Sequence, residues 1–98
     1  MIRGTTPTHI FKLPFDAALV KEARAIYRQL AKEVLRKETT DFKMDGNILS
    51  VLLSQHETFL FDCTPVTYQL RVKTTDGKVL NTKPRTIKVE ECLDSEVL

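Results

Sequence analysis

The chain has 98 residues, and its 15 basic and 13 acidic side chains give a formal net charge of +2. This length supports one domain with one core, which we place at residues 1–93, followed by an acidic tail at residues 94–98. The near balance of charge argues against a general nucleic-acid binder, and no apolar run reaches membrane-spanning length. The first residues contain no apolar signal segment, so we expect a protein of the cytoplasm with reduced thiols.

The first predicted element is a short strand near the beginning of the chain. Thr8 to Leu13 contains β-branched and aromatic residues and lies between Pro7 and Pro14. Such a segment is typical of a strand whose neighbouring prolines limit pairing on one side. We therefore expect an edge strand here, and a second edge at Val79 to Leu80.

Residues 17–38 are compatible with two different structures. A helix from about 17 to 37 would begin at Asp16 and bury a stripe that includes Ile26 and Leu30, and the composition favours it. A β-hairpin would instead alternate inward and outward residues from 21 to 29 and turn near residues 30–32. Neither Gly nor Asn, the usual residues of such a turn, occurs there.

The second half of the chain has clearer strand signals. Asp45-Gly46-Asn47 predicts a turn between two strands, at residues 41–44 and 48–53. Val66 to Thr74 alternates apolar and polar residues, the best strand pattern in the chain. Asp76-Gly77 predicts a further hairpin, which returns at residue 79 and leads to a final strand at residues 86–90. Short strands with frequent turns indicate an antiparallel sandwich or barrel.

Few side chains suit catalysis or metal binding. His9 and His56 are the only histidines, and we interpret the first as a packing or surface residue and the second as solvated. No triad motif surrounds Cys63 or Ser54, and no metal-ligand spacing or glycine-rich phosphate loop occurs. We interpret Cys63 and Cys92 as small core residues. The sequence predicts a protein that is not an enzyme and has no cofactor, metal or small-molecule substrate.

Short pieces along nearly the whole chain occur in a recognisable order. They are Arg3-Gly4-Thr5-Thr6-Pro7-Thr8, Leu13-Pro14-Phe15-Asp16, Tyr27-Arg28-Gln29, Asp45-Gly46-Asn47, Leu53-Ser54-Gln55-His56-Glu57-Thr58, Gln69-Leu70-Arg71-Val72 and Asp76-Gly77-Lys78. In this order the chain resembles small phage and prophage proteins of Gram-positive bacteria. It is more loosely similar to the immunoglobulin-like N-terminal module of phage baseplate proteins.

The resemblance implies a fold and a context. It implies an all-β, antiparallel immunoglobulin-like sandwich of about seven short strands. Because Tyr27-Arg28-Gln29 would lie on a strand, the resemblance favours the hairpin. The alternative is an α+β fold with the helix at about 17–37. The resemblance also implies a structural or assembly module, of the tail or baseplate, that contacts itself or a larger virion protein in the host cytoplasm or the virion. The basic residues of the segment 17–38 add possible partner contacts at Arg24, Arg28 and Arg36. The alternative function is an accessory protein whose basic helix contacts nucleic acid or another protein.

Overall fold

The chain forms two antiparallel sheets, which confirms the predicted all-β sandwich. A computed structural model describes residues 1–98. One sheet has three strands in the order β1-β5-β4, and the other has five, in the order β3-β2-β6-β7, with β8 also pairing with β6. The strands are β1 (Thr8–Lys12), β2 (Val20–Gln29), β3 (Lys32–Lys37), β4 (Phe42–Asp45), β5 (Ile48–Leu52), β6 (Val66–Thr74), β7 (Val79–Asn81) and β8 (Arg85–Ile87).

Residues 17–38, for which the sequence allowed either a helix or a hairpin, contain a β-hairpin. β2 and β3 pair antiparallel from Ala25 opposite Lys37 to Gln29 opposite Lys32, with a bulge after Tyr27. The helix at about 17–37 is therefore wrong, although its residues have high helix propensity. In a strand, alternate residues lie on the same face, so Ala25 and Tyr27 of β2 both enter the core. This packing outweighs the local preference of the segment for helix.

The hairpin turn has an unusual backbone for its sequence. Leu30 and Ala31 connect β2 to β3 with φ of 50° and 62°. Positive φ at both central residues is the geometry of a two-residue hairpin turn that matches the twist of the strands. Non-glycine residues are disfavoured there because Cβ approaches the following carbonyl oxygen. Neither residue is a usual turn residue, because the pairing of the strands imposes the turn on them.

Replacing the strained turn should stabilise the protein. The double substitution Leu30→Asn, Ala31→Gly is expected to raise the free energy of unfolding by about 1 kcal/mol, because both new residues accept positive φ at little cost. Urea denaturation followed by circular dichroism measures the change. Lys78→Asn beside the Asp-Gly turn, at an exposed site without a positive φ, is the control and should change little. An equal or lower stability of the double variant would contradict the turn geometry.

The core lies between the two sheets and is closed by a connection. The buried side chains of the small sheet, including Phe11 and Leu49, face Tyr27 and Leu70 of the large sheet. The connection from β5 to β6 contains one helical turn, α1 (Gln55–Thr58), with a capping box between Ser54 and Glu57.

A buried amide fixes that connection to the end of β2. The Gln29 side chain is almost fully buried, and its amide nitrogen donates to the carbonyl oxygens of Asp62 and Thr64, both at 2.9 Å. Its amide oxygen accepts from the Asp62 N–H at 3.0 Å. These bonds satisfy backbone groups of the β5–β6 connection, which has no strand pairing at this point to satisfy them.

Candidate protein interface

The β1 edge of the small sheet has backbone groups without a strand partner. β1 pairs with β5 alone. Hydrogen bonds beside this ladder join the Leu13 N–H to the Asn47 carbonyl and the Leu53 N–H to the Pro7 carbonyl, at 2.7 and 3.0 Å. Bonding alternates along an antiparallel pair, so His9 and Phe11 point their N–H and C=O toward β5. The N–H and C=O groups of Thr8, Ile10 and Lys12 therefore point away from the sheet.

Exposed apolar side chains lie beside this edge, on the outer face of the small sheet. They form what we call the outer apolar cluster, Ile10, Ile48 and Leu52, with exposed fractions of 56%, 38% and 58%. The register places Ile10 opposite Ser50, so Ile48 and Leu52 are its diagonal neighbours on the same face. An apolar cluster on an open sheet is a feature of surfaces that contact other proteins.

A basic side chain from the other sheet reaches the β1 edge. Arg85 of β8 donates from Nη1 to the outward carbonyl of Ile10 at 3.3 Å, and its guanidinium lies 5.5 Å from the centre of the Phe11 ring. This contact covers one outward group of β1 and leaves the other outward groups of the strand uncovered. Sequence reasoning missed Arg85, because 75 residues separate it from Ile10.

The other edges are less suited to pairing with another chain. Both predicted edges are confirmed, since β1 and β7 end the two sheets. However, β7 and β8 have three residues each, and β4 has four, two of them exposed and charged. β3 is longer, but four of its six residues are charged. Charged side chains and short length are the usual ways in which edge strands avoid pairing. β1 is longer than β4, β7 and β8, and Lys12 is its one Lys, Arg, Asp or Glu residue.

The three arginines predicted as partner contacts lie together on the outer face of the large sheet. Arg24 and Arg36 form ion pairs with Glu38 and Glu33, at 3.3 and 2.8 Å. Arg28 donates to the Ala31 carbonyl at 2.7 Å. The structure thus brings these residues to one face, where acidic neighbours offset part of their charge. Exposed ion pairs of this kind contribute little to stability.

His9 belongs to an aromatic stack at the inner side of β1. Its ring stacks on Tyr68 with the centroids 4.9 Å apart, and Nδ1 lies 2.7 Å from the Tyr27 hydroxyl. Burial lowers the pKa of His9 below its ordinary value of 6.5, and the positive charges of the Met1 amino group and Arg85 act in the same direction. This geometry bears out the interpretation of His9 as a packing residue.

The lowered pKa of His9 predicts a loss of stability in weak acid. The unfolded chain binds a proton at His9 near pH 6.5, whereas the folded chain resists it, so stability is complete above that pH and decreases below it toward the folded pKa. We expect His9→Gln to flatten this decrease in urea denaturation between about pH 7 and pH 5. The exposed His56→Gln is the matched control and should keep the wild-type profile. Parallel profiles for His9→Gln and the wild type would contradict the prediction.

The remaining candidates for chemistry lie apart from one another. His56 is exposed on α1, as predicted, and the single-turn helix stands where the sequence indicated a connection. The interpretation of both cysteines as core residues is wrong, because Cys63 is exposed and Cys92 is half-buried. The Cys63 thiol donates to Glu91 at 3.0 Å, and this hydrogen bond raises its pKa. No group of three or more His, Cys, Asp or Glu residues converges as in a metal site.

A groove lies beside β7. It has a volume of about 500 Å³, and its apolar walls come from Phe15, Leu19, Val79 and Leu80. Its polar lining consists of Thr74, Thr75, Asp76 and Lys78. This lining contains no pair of a nucleophile and a histidine base, the arrangement that nucleophilic catalysis uses.

The comparisons with known proteins identify no relative. No protein-family model, no curated protein and no solved structure matches this chain. None of its helices has the length and apolar character needed to cross a membrane.

Proposed function

We propose that this chain is a non-enzymatic assembly module that joins proteins by adding a strand to its β1 edge. The observation that carries the proposal is the row of outward backbone groups at Thr8, Ile10 and Lys12, next to the outer apolar cluster. A strand that pairs there gains affinity from main-chain hydrogen bonds. The outer apolar cluster adds specificity, because it favours a partner strand with apolar side chains on the same face. The module needs no pocket chemistry for this work.

The context of the proposal comes from the resemblance to phage and prophage structural proteins. In that context the module acts in a tail or baseplate, its partner is another copy or a larger virion protein, and it is made in the cytoplasm of a bacterial host. Edge pairing suits such assemblies because it repeats between many subunits without requiring a new binding pocket. Three features support the assignment: the length of the β1 edge, its low charge, and the exposed apolar residues on its outer face.

Complementation of a deletion tests this function. The gene is deleted from an inducible prophage that carries it, and infectious particles are counted after a plasmid supplies the wild type or a variant. We expect the deletion to reduce particle yield strongly, the wild type to restore it, and Ile10→Lys to fail because it places an ammonium group on the edge. Leu30→Lys, the same kind of change at an exposed residue of the β2–β3 turn, should restore the yield. Normal yield without the gene, or full rescue by Ile10→Lys, would contradict the proposal.

A further inference from the structure

We infer that the strand that pairs with the β1 edge comes from a second copy of this chain, with Ile10 of one copy opposite Ile10 of the other. This inference rests on the proposed function and names its partner. Thr8, Ile10 and Lys12 are the outward residues of a five-residue strand. In an antiparallel pair centred on Ile10, Thr8 of each copy lies opposite Lys12 of the other. Each of these three pairs exchanges two hydrogen bonds.

A proline after β1 limits this register. Pro14 follows Lys12 as the next residue with outward parity and has no N–H, so the ladder ends after Lys12 in both copies. A shift by two residues in one direction brings Pro14 opposite Thr8, and in the other direction it brings Thr6, which lies outside the strand, opposite Lys12. A shift by one would place outward groups opposite inward ones. Only the register centred on Ile10 pairs all three outward residues of both copies.

The side chains across this register are compatible with two identical strands. Lys12 faces Thr8 of the other copy, and the two lysines stay about 14 Å apart, given a rise of about 3.4 Å per residue. The two Ile10 side chains meet on the outer face, next to Ile48 and Leu52 of each copy. The two outer apolar clusters thereby become one continuous apolar band on a six-stranded sheet. A foreign strand would need its own residues to match this arrangement, whereas a second copy already has them.

Arg85 is the group that the second copy displaces. Its bond to the Ile10 carbonyl is long, at 3.3 Å, and the N–H of Ile10 from the other copy would take its place. Each copy loses one such contact on pairing. Arg85 therefore weakens the association without blocking it, which agrees with the role of charged side chains at natural sheet edges.

Sedimentation equilibrium of the purified chain in reducing buffer tests the inference. One paired strand is a small interface, so we expect a dimer with a Kd of about 0.1 mM, seen between about 10 µM and 1 mM protein. Ile10→Pro removes one outward N–H without touching the ladder to β5, and Ile10→Lys places two ammonium groups side by side. Both should raise the Kd at least tenfold, and the two changes are chemically independent. Leu30→Lys, the same kind of change at an exposed residue of the β2–β3 turn in the other sheet, should change the Kd less than threefold.

A second variant tests the register. Arg85→Ala removes the competing contact from both copies and should tighten the dimer about thirtyfold, since two bonds are removed and each contributes about 1 kcal/mol. Lys83→Ala makes the same change of charge at an exposed residue and should leave the Kd unchanged. A dimer that Arg85→Ala leaves unchanged or weakens would overturn the register at Ile10.

The failure of this inference and the failure of the proposed function have different signatures. A chain that stays monomeric up to about 1 mM, or a dimer indifferent to both Ile10 variants, overturns pairing between copies. In that case the complementation experiment still reports on the proposed function, because Ile10→Lys would also block a larger partner protein. If deletion of the gene has no effect on particle yield while the dimer forms as described, the pairing stands and the assembly role fails.

Discussion

Replacing Tyr27 by alanine is expected to lower the free energy of unfolding by about 4 kcal/mol. Tyr27 is fully buried on β2, its ring stacks on Tyr68 at 5.3 Å, and it also contacts Phe61. Burial, followed by the nearby Tyr68 and Glu57, raises the pKa of its hydroxyl, so the group stays neutral in the core. Truncation leaves a cavity between the sheets, because its neighbours collapse only in part. For a domain of this size the melting temperature should fall by about 20 °C.

The same experiment separates the hairpin from the helix at about 17–37. A helix would bury Leu30 with Ile26, whereas in the hairpin Leu30 lies at the turn with 85% of its surface exposed. Leu30→Ala is therefore the matched control, and it should change stability by less than about 0.5 kcal/mol. Thermal unfolding and urea denaturation of both variants provide the comparison. A larger loss from Leu30→Ala than from Tyr27→Ala would contradict the strand assignment of β2.

Removing the carboxylate of Glu57 should cost about 3 kcal/mol. Lys37 lies on the inward face of the edge strand β3 with only 11% of its side chain exposed, and its Nζ is 2.7 and 2.6 Å from the two carboxylate oxygens. Burial alone would raise the pKa of Glu57, but hydrogen bonds from Lys37 and Ser54 outweigh it and lower the pKa below its ordinary value. Glu57→Ala leaves a buried ammonium group without a partner and also removes the acceptor for the Ser54 N–H.

A double variant shows how much of that loss comes from the unpaired charge. Lys37→Met alone removes the buried charge and keeps the capping carboxylate, so its cost should be well below that of Glu57→Ala. Lys37→Met combined with Glu57→Gln should recover most of the stability, because no charge is then buried. Urea denaturation at pH 7 measures all three.

Because the pKa of Glu57 is lowered, the contribution of the pair is complete above about pH 4.5 and is lost as the pH falls through the folded value. Equal stability of Glu57→Ala and the wild type would contradict the role of this ion pair.

Alternation and turn residues were enough to predict most strands of the second half of the chain, although the last one, predicted at residues 86–90, is β8 (Arg85–Ile87). β6 alternates buried Val66, Tyr68, Leu70 and Val72 with more exposed residues, and Gly46 supplies a positive φ in the predicted turn. These features are local, and packing in the core agrees with them. The prolines around β1 likewise indicated an edge strand, and the sheet order confirms it.

Other features depend on contacts between distant residues, and the sequence alone does not contain them. In the sequence, Lys37 cannot be distinguished from the surface lysines. Its partner Glu57 is 20 residues away and meets it only because α1 packs beside β3. The β2–β3 turn carries no turn residues, because pairing of β2 with β6 holds the strand in place. The candidate interface was only partly predictable. The edge at β1 could be inferred, but its outward residues follow from the register with β5, and the contact from Arg85 follows from the packing of the two sheets.

Backbone amide exchange of β1, residue by residue, tests most directly whether its edge is a pairing site. In dilute solution the N–H groups of Thr8, Ile10 and Lys12 should exchange rapidly, while those of His9, Phe11 and Leu13 are protected by β5. At protein concentrations near 1 mM the three rapid amides should become protected as the second copy binds. Uniform protection along β1 in dilute solution, or rapid exchange that does not change with concentration, would contradict the account.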